Sequence, residues 1–564
     1  MATETPTRVA DPAPGAPTST PPSTGPPRPG LVLAALILVA TVANLNLAVA
    51  NVALPDIGKA LDASQTGLNL VAIGYSLGLA SSVLWFAAVG DRHGRKRMLV
   101  LGTALSVPAC VLAAWAPNVA VLVAARVGGG LAAGMAFPTT LALITALWSG
   151  PARTRAIALW SAIGGGAIAL GSVLAGIVLE FAWWGSVFLI TLPLAVVAVV
   201  MSARLVPAHV NETTDPVDHL GGVLSVVLVA SLVAAINFGA VPGASTVALV
   251  LLGVSVVALL AFVIRQRRCR FPLYDLHVAA RRIFWVAAAA GIVVFGALMG
   301  AMFIGQQFLQ DVLGYDTLAA GVSLLPAAVC MVLVAPHSAH LVEARGARFT
   351  LLMGYTFCLL GFVAMLVLWR DGVGYWAVGL AFSLIGVGVG LAGTPASHSL
   401  TGSVPVTRAG MASGTADLQR DLGGAVLQSV LGALLTAGYA GAIARAVAGE
   451  PAGVRAQVTG PVEASLQKSY SGAVVVAERY PQYRTQIIAA ARESFTSGQR
   501  LAYVAGIVSI VLGGVLVATC FPARDDERRL LAGYHRIDSA AVRTDAVDTD
   551  AVDTEGSDTE GSVS

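Results

Sequence analysis

The sequence predicts an all-α integral membrane protein with fourteen transmembrane helices. Three observations carry that prediction. First, the 564 residues are 56% hydrophobic and 12% charged, about half the charged share of a soluble domain, with mean hydropathy +0.78. Second, apolar runs of about 20 residues, enough to cross the hydrocarbon core, recur along the chain. Third, basic residues collect in alternate loops, as they do on the inner side of a membrane.

In order, residues 1–30 are rich in Pro, Thr and Ser and lack the basic start and apolar core of a secretory leader. They are read as a disordered cytoplasmic tail. Spans are expected at 31–54, 67–89, 98–116, 119–147, 156–180 and 186–204, making a first six-helix half over 31–204. Two more, 219–239 and 243–264, form an insert at 205–270. The spans 283–308, 317–337, 350–369, 375–398, 412–438 and 501–521 make a second half over 271–521. An external loop, about 439–500, carries seven Lys/Arg and a helical-looking "YRTQIIAAARESF". Residues 522–564 end in "TDAVDTDAVDTEGSDTEGSVS", too polar to bury a core, and are read as a disordered cytoplasmic tail.

The loops fix the orientation. "DRHGRKR" (91–97), "GPARTR" (150–155), "RQRRCR" (265–270), "EARGAR" (343–348) and Arg408 all follow even-numbered spans. Among short loops on the other side, Lys59 and Arg370 are the exceptions. Both termini are therefore expected in the cytoplasm.

Several function classes drop out. A net charge of +3 implies no nucleic-acid partner. The five cysteines lie in apolar runs or one basic loop, so free thiols are expected. No G-x-x-x-x-G-K-[ST] loop is present, so no built-in ATP motor is expected. His337, His340 and Glu343 stand at steps of three, the one hint of metal-ligand spacing, and are read as interfacial polar residues. No enzyme activity, metal or cofactor is expected.

Two of the basic loops repeat a pattern. In "GDRHGRKR", Asp91 stands three residues before Gly94, with Arg92, Arg95 and Arg97 around it. In "EARGAR", Glu343 stands three before Gly346, with Arg345 and Arg348. An acid among arginines at a glycine turn can hold two helices together through charged hydrogen bonds. The plainer reading is a loop that only sets topology. Parallel repeats of this kind are a transporter architecture, with cargo bound between the halves.

"GDRHGRKR" resembles the loop signature of the major facilitator superfamily. The span layout is similar to its drug:proton antiporter branch, the EmrB/QacA type. "NVALPDI" closing span 1, Tyr75 in span 2, "RVGGG" opening span 4, "LQDVLGY", "AGVSLLP" and "GMASGTADLQRDLGG" agree with it. The resemblance implies a major facilitator fold of two six-helix halves plus two inserted helices. It also implies that Asp91 and Arg95 lock one access state and that Arg126 belongs to proton coupling. Ala87 stands where the family usually has Gly.

Other candidates come from the residues themselves. Arg126 lies inside an apolar run, a functional candidate by default, although a snorkelling arginine would look the same. In span 5, Ala167, Gly171 and Ala175 stand at steps of four, with Ser172 and Gly176 repeating the step beside them and Gly166 next to the first, a packing face; the family's antiporter signature has a Pro at Ser172 and a Gly at Ala175. Asp417, Arg420 and Asp421 stand near the cytoplasmic end of span 13, spaced for local pairing. With Asp91 and Arg126, Asp417 and Asp421 are the proton-coupling candidates. Gln306, Gln307 and Gln310 end span 9 and line either a cavity or the interface.

Span 1 holds Asn44, Asn46 and Asn51. Asn44 and Asn51 share a helix face, and Asn46 points elsewhere. Aligned on "NVALP", Asn46 occupies the family's acid position and Ala48 replaces a hydroxyl. A carboxylate can take and release a proton; an amide cannot. Asn46, Asn51, Tyr75, Gln306, Gln307 and Gln310 are the cavity candidates. The expectation is a monomeric exporter in a bacterial plasma (inner) membrane, carrying drugs or other small amphipathic molecules by proton antiport. One alternative is a narrow exporter or facilitator of an endogenous metabolite or lipid without tight proton coupling. Another is a non-transporting sensor or scaffold, which would need neither Arg126 nor a gating loop.

Overall fold

The computed structural model describes residues 26, 28–148, 150–208, 216–239, 243–405, 409–450 and 458–538. Arg408, the first 25 residues and residues 539–564 lie outside them. Among the described residues the regular structure is helical, with no strand. The long helices are α1 (Pro29–Ala60), α2 (Gln65–His93), α3 (Arg95–Ala114), α4 (Val119–Leu147), α5 (Gly150–Leu179), α6 (Leu192–Leu205), α7 (His219–Gly239) and α8 (Ser245–Arg268). They continue as α9 (Arg282–Gln307), α10 (Leu325–Arg345), α11 (Ala347–Leu368), α12 (Tyr375–Gly402), α13 (Ala409–Gly449) and α14 (Arg484–Cys520).

Thirteen helices among the described residues are long and apolar enough to cross a membrane, where fourteen spans were expected. The difference is α5, whose described apolar stretch is the shorter Gly166–Leu179. The chain is a multi-pass integral membrane protein. Its outer surface supports this: Leu249 and Val257 on α8, Leu333 on α10 and Leu512 on α14 are all more than half exposed. In water such a belt would aggregate; in a bilayer it meets lipid.

Helix packing repeats along the chain. In the first group α1 packs on α5 and α6, α2 on α4, and α3 on α4 and α6. In the second group α9 packs on α13 and α14, α10 on α12, and α11 on α12 and α14. These are the same pairings shifted by eight helices. Across the groups α2 packs on α13, and α5 packs on α10 and the short helix Thr317–Val322. Lipid tails are as apolar as leucine, so these contacts depend on close fit between small residues. A Cβ at Gly130 on α4 would run into the Tyr75 carbonyl of α2, and one at Gly423 on α13 into the Ile292 carbonyl of α9. The insert helix α7 lies against both α2 and α13, and α8 lies against α7.

Two segments expected outside the spans are largely helical. The external loop placed at 439–500 is mostly helix: α13 runs on to Gly449, α14 starts at Arg484, and two short helices, Gly460–Lys468 and Tyr470–Arg479, lie between. These outer extensions mix polar and apolar residues, so a hydropathy reading ends the span too early. The tail expected from 522 begins with a helix over 524–538. Arg524 donates to the Glu343 carbonyl (2.6 Å), and Asp538 pairs with Arg281 (2.5 Å), fixing this helix under the second group.

Candidate functional site

Arg126 is buried near the middle of the first group, 3% exposed, which removes the snorkelling alternative. Its Nη1 donates to the Asn46 carbonyl (2.7 Å) and its Nε to the Val71 carbonyl (3.4 Å). The guanidinium lies over the Tyr75 ring at 4.9 Å and the Phe188 ring at 5.6 Å. Nη2 is buried with no partner. Asn46 therefore meets Arg126 through its backbone. Its amide points away: Nδ2 donates to the Val42 carbonyl (3.1 Å), while Oδ1 accepts from the Thr191 hydroxyl (3.2 Å) and the Cys110 thiol (3.5 Å). Asn46 ties α1 to α3 and to Thr191, just before α6. Tyr75, also expected to face a cavity, is 3% exposed beneath Arg126. Asn51 is 4% exposed with Oδ1 unpartnered.

Two buried acids lie on α13. Asp417 and Asp421 are 3% and 4% exposed. Arg420 Nη2 donates to Asp417 Oδ1 (3.1 Å), its Nε lies 4.0 Å from Asp421 Oδ1, and its head stacks over Phe137 of α4 at 4.6 Å. Asp417 Oδ2 and Asp421 Oδ2 are buried without partners. One arginine thus serves two carboxylates. The two unpartnered oxygens can each accept a hydrogen bond or meet a cation. The expected position near the end of the span understated this burial, because α13 begins at 409 and its first turns pack against α2 and α4.

At the glycine turns, Gly94 (φ +107°) and Gly346 (φ +89°) adopt backbone that L side chains rarely take. Arg95 pairs with Asp91 at 2.8 Å and reaches toward the Ala142 carbonyl of α4 (3.5 Å). Asp91, Arg95 and Gly414 of α13 line one small cleft between the groups. The second turn differs: Arg348 donates to the Ala518 carbonyl of α14, Arg345 lies over Phe349 at 5.0 Å, and Glu343 has no ion pair among the described residues. Arg92 and Arg97 lie at the turn and the start of α3.

The opposite face is closed by amides. Gln65 Nε2 donates to Gln307 Oε1 (2.6 Å), Asn69 Nδ2 to the Thr436 hydroxyl (3.4 Å), and Gln310 Nε2 to the Val52 carbonyl (3.2 Å). Gln306 instead donates to the Ala320 carbonyl (2.8 Å), within the second group. Cβ atoms at Gly171 and Gly176 would meet Leu45 of α1 and Leu318 of the short helix; Gly321 lies on the Ser172 carbonyl, while Gly166 has open space. Gln65, Asn69, Thr436 and Gln428 were missed. They are scattered polar residues in apolar runs, and only their mutual facing across α2 and α13 gives them meaning.

The sequence family described as the Major Facilitator Superfamily matches residues 36–427. The multidrug efflux pump LfrA of Mycolicibacterium smegmatis is 32% identical over 472 residues, 83% of this chain and 92% of that one. The multidrug resistance protein Stp of Mycobacterium tuberculosis is 32% identical over 468 residues, covering 82% and 86%. The methyl viologen resistance protein SmvA of Salmonella typhimurium is 29% identical over 447 residues, covering 78% and 88%. Among solved structures, an inward-facing, occupied bacterial homolog of the human lysosomal transporter Spinster superposes with TM-score 0.59 at 14% identity. That match covers 88% of this chain and 98% of that one.

Proposed function

The chain belongs to the Major Facilitator Superfamily, and we propose that it exports drugs or other small amphipathic molecules by proton-driven antiport. Transport of small molecules follows from the family; the cargo class and the coupling are our reading. In it, α1–α6 and α9–α14 are two six-helix halves that rock about a central site, with α7 and α8 inserted, fourteen spans in all. The layout is that of the EmrB/QacA branch. The chain lies as a monomer in a bacterial plasma membrane, both termini in the cytoplasm.

The observation that carries the coupling proposal is the Asp417–Arg420–Asp421 set on α13. Asn46 cannot carry a proton, and these two carboxylates are buried at the junction of the halves with an unpartnered oxygen each. Protonation neutralises a carboxylate and lets Arg420 rest on the other. Deprotonation restores a net negative site that favours a cation or a rearrangement of α13 against α4. Asp91 and Arg95 hold the α2–α3 turn beside α13 and act as the gate. Arg126 fixes α1, α2 and α4 around one guanidinium.

The experiment is ethidium accumulation in a pump-deficient bacterial host, with and without a protonophore. We expect lower accumulation with the chain, abolished by the protonophore. Accumulation equal to empty vector, with the protein in the membrane, would move the assignment to a narrow exporter or facilitator, the reading that Asn46 at the acid position favours.

A further inference from the structure

One face of α13 carries Asp417, Asp421, Gln428, Gly432, Thr436 and Tyr439. Steps of 4, 7, 4, 4 and 3 keep them within about 100° of one another on a helix of 3.6 residues per turn. Asn69 of α2 sits against Gly432 and donates to Thr436. At the end of this face Gln307 accepts from Gln65, and the Tyr439 hydroxyl donates to the Ser469 carbonyl between the short helices (3.1 Å). From Asp417 to Tyr439 is about 33 Å at 1.5 Å per residue, the thickness of a hydrocarbon core of about 30 Å.

Five polar atoms on this face or across from it share a second property. Asp417 Oδ2, Asp421 Oδ2, Gln428 Nε2, Asn69 Oδ1 and Gln307 Nε2 are all buried and lack a protein partner. A face that served packing alone would carry apolar side chains or pair its polar ones. Buried polar groups left over by the protein are met by internal water. Gly432 takes the Asn69 amide and Gly424 takes Met299, so neighbouring helices come close along this face.

We propose that this face of α13, with Asn69 and Gln307 across from it, is a hydrated proton route from the Asp417–Asp421 pair to the opposite membrane face. It rests on the reading of that pair as the proton carriers. A proton leaves the Asp421 carboxyl for a neighbouring water and passes from water to water. Gln428, Asn69 and Thr436 orient those waters without being ionised, and no covalent bond between heavy atoms changes. The amides are positioning residues; the carboxylates carry the charge.

Two measurements on the purified chain in liposomes test it. In X-ray hydroxyl-radical footprinting, Met299, which lies beside Gly424, should oxidise, while Met365, buried away from this face, should not. An unoxidised Met299 overturns the hydrated route. In proton movement driven by an ethidium gradient and read with a lumenal pH dye, Asp421→Asn should abolish the signal. The near-isosteric Gln428→Met, Asn69→Leu and Thr436→Val should each slow it about tenfold, and Gln428→Glu should restore it toward wild type. Wild-type rates in Gln428→Met and Asn69→Leu, with Asp421→Asn inactive, overturn the route and leave the carriers standing. Wild-type rates in Asp421→Asn overturn the carriers themselves. If one apolar variant fails to fold, the other two decide.

Discussion

Arg126 and Arg420 are both largely buried arginines, and their replacement by methionine should have unequal consequences for stability. Arg126 makes one short charged hydrogen bond, to the Asn46 carbonyl at 2.7 Å, and one marginal bond at 3.4 Å. Removing the short bond costs about 1.5–3 kcal/mol, and losing the stack on Tyr75 and Phe188 costs up to about 2 kcal/mol more. Against that, Arg126 has no carboxylate partner and one unpartnered Nη2. Leaving its charge out relieves a desolvation penalty of several kcal/mol. The terms nearly cancel, so Arg126→Met should change unfolding free energy by less than about 2 kcal/mol in either direction. Arg420 is different: its removal leaves Asp417 and Asp421 as neighbouring buried acids, and breaking such a set costs about 3–5 kcal/mol. Reversible unfolding in mixed micelles at pH 7 measures both. Transport should fall in both variants. Equal, large destabilisation by Arg126→Met would refute the reasoning, since its bonds would then outweigh the cost of burying its charge.

Further predictions concern the turn, the closed face and a helix crossing. Gly94→Ala puts a Cβ on backbone at φ +107° and should cost about 1–3 kcal/mol together with most transport activity, read by thermal melting and dye efflux. Cysteines at Gln65 and Gln307, now joined at 2.6 Å, should crosslink under mild oxidation and stop export until reductant is added; a crosslinked chain that still exports would show that this face does not open. Gly130→Val drives a side chain into the Tyr75 carbonyl and should destabilise by about 1–3 kcal/mol or more through overpacking, lowering the yield of folded protein.

What could be read from the sequence follows from what a residue type alone encodes. The turn at 91–97 was legible because a positive-φ glycine beside an acid and arginines leaves a local signature. The helices were legible because lipid demands long apolar runs. Arg126 was legible as a buried charge, but not its partner: it binds the backbone of residue 46, and a carbonyl has no side-chain identity. The same blindness placed Asn46 in a cavity, whereas its amide bonds to Thr191 and Cys110. Asp417 and Asp421 were legible as acids of the span but their burial was not, because it comes from α2 and α4, more than 250 residues away in sequence. The start of α14 was legible in "YRTQIIAAARESF", whereas the run of α13 on to Gly449 was not, because its last turns lose the apolar signal that marks the span.

The central claim is that Asp417 and Asp421 hold the proton that cargo displaces. Purified chain in weakly buffered detergent solution should release protons when ethidium is added, read with a pH indicator dye. The wild type should release, and Asp417→Asn/Asp421→Asn should bind ethidium without release. Unchanged proton release from the double variant would contradict the account and place the carrier elsewhere in the chain.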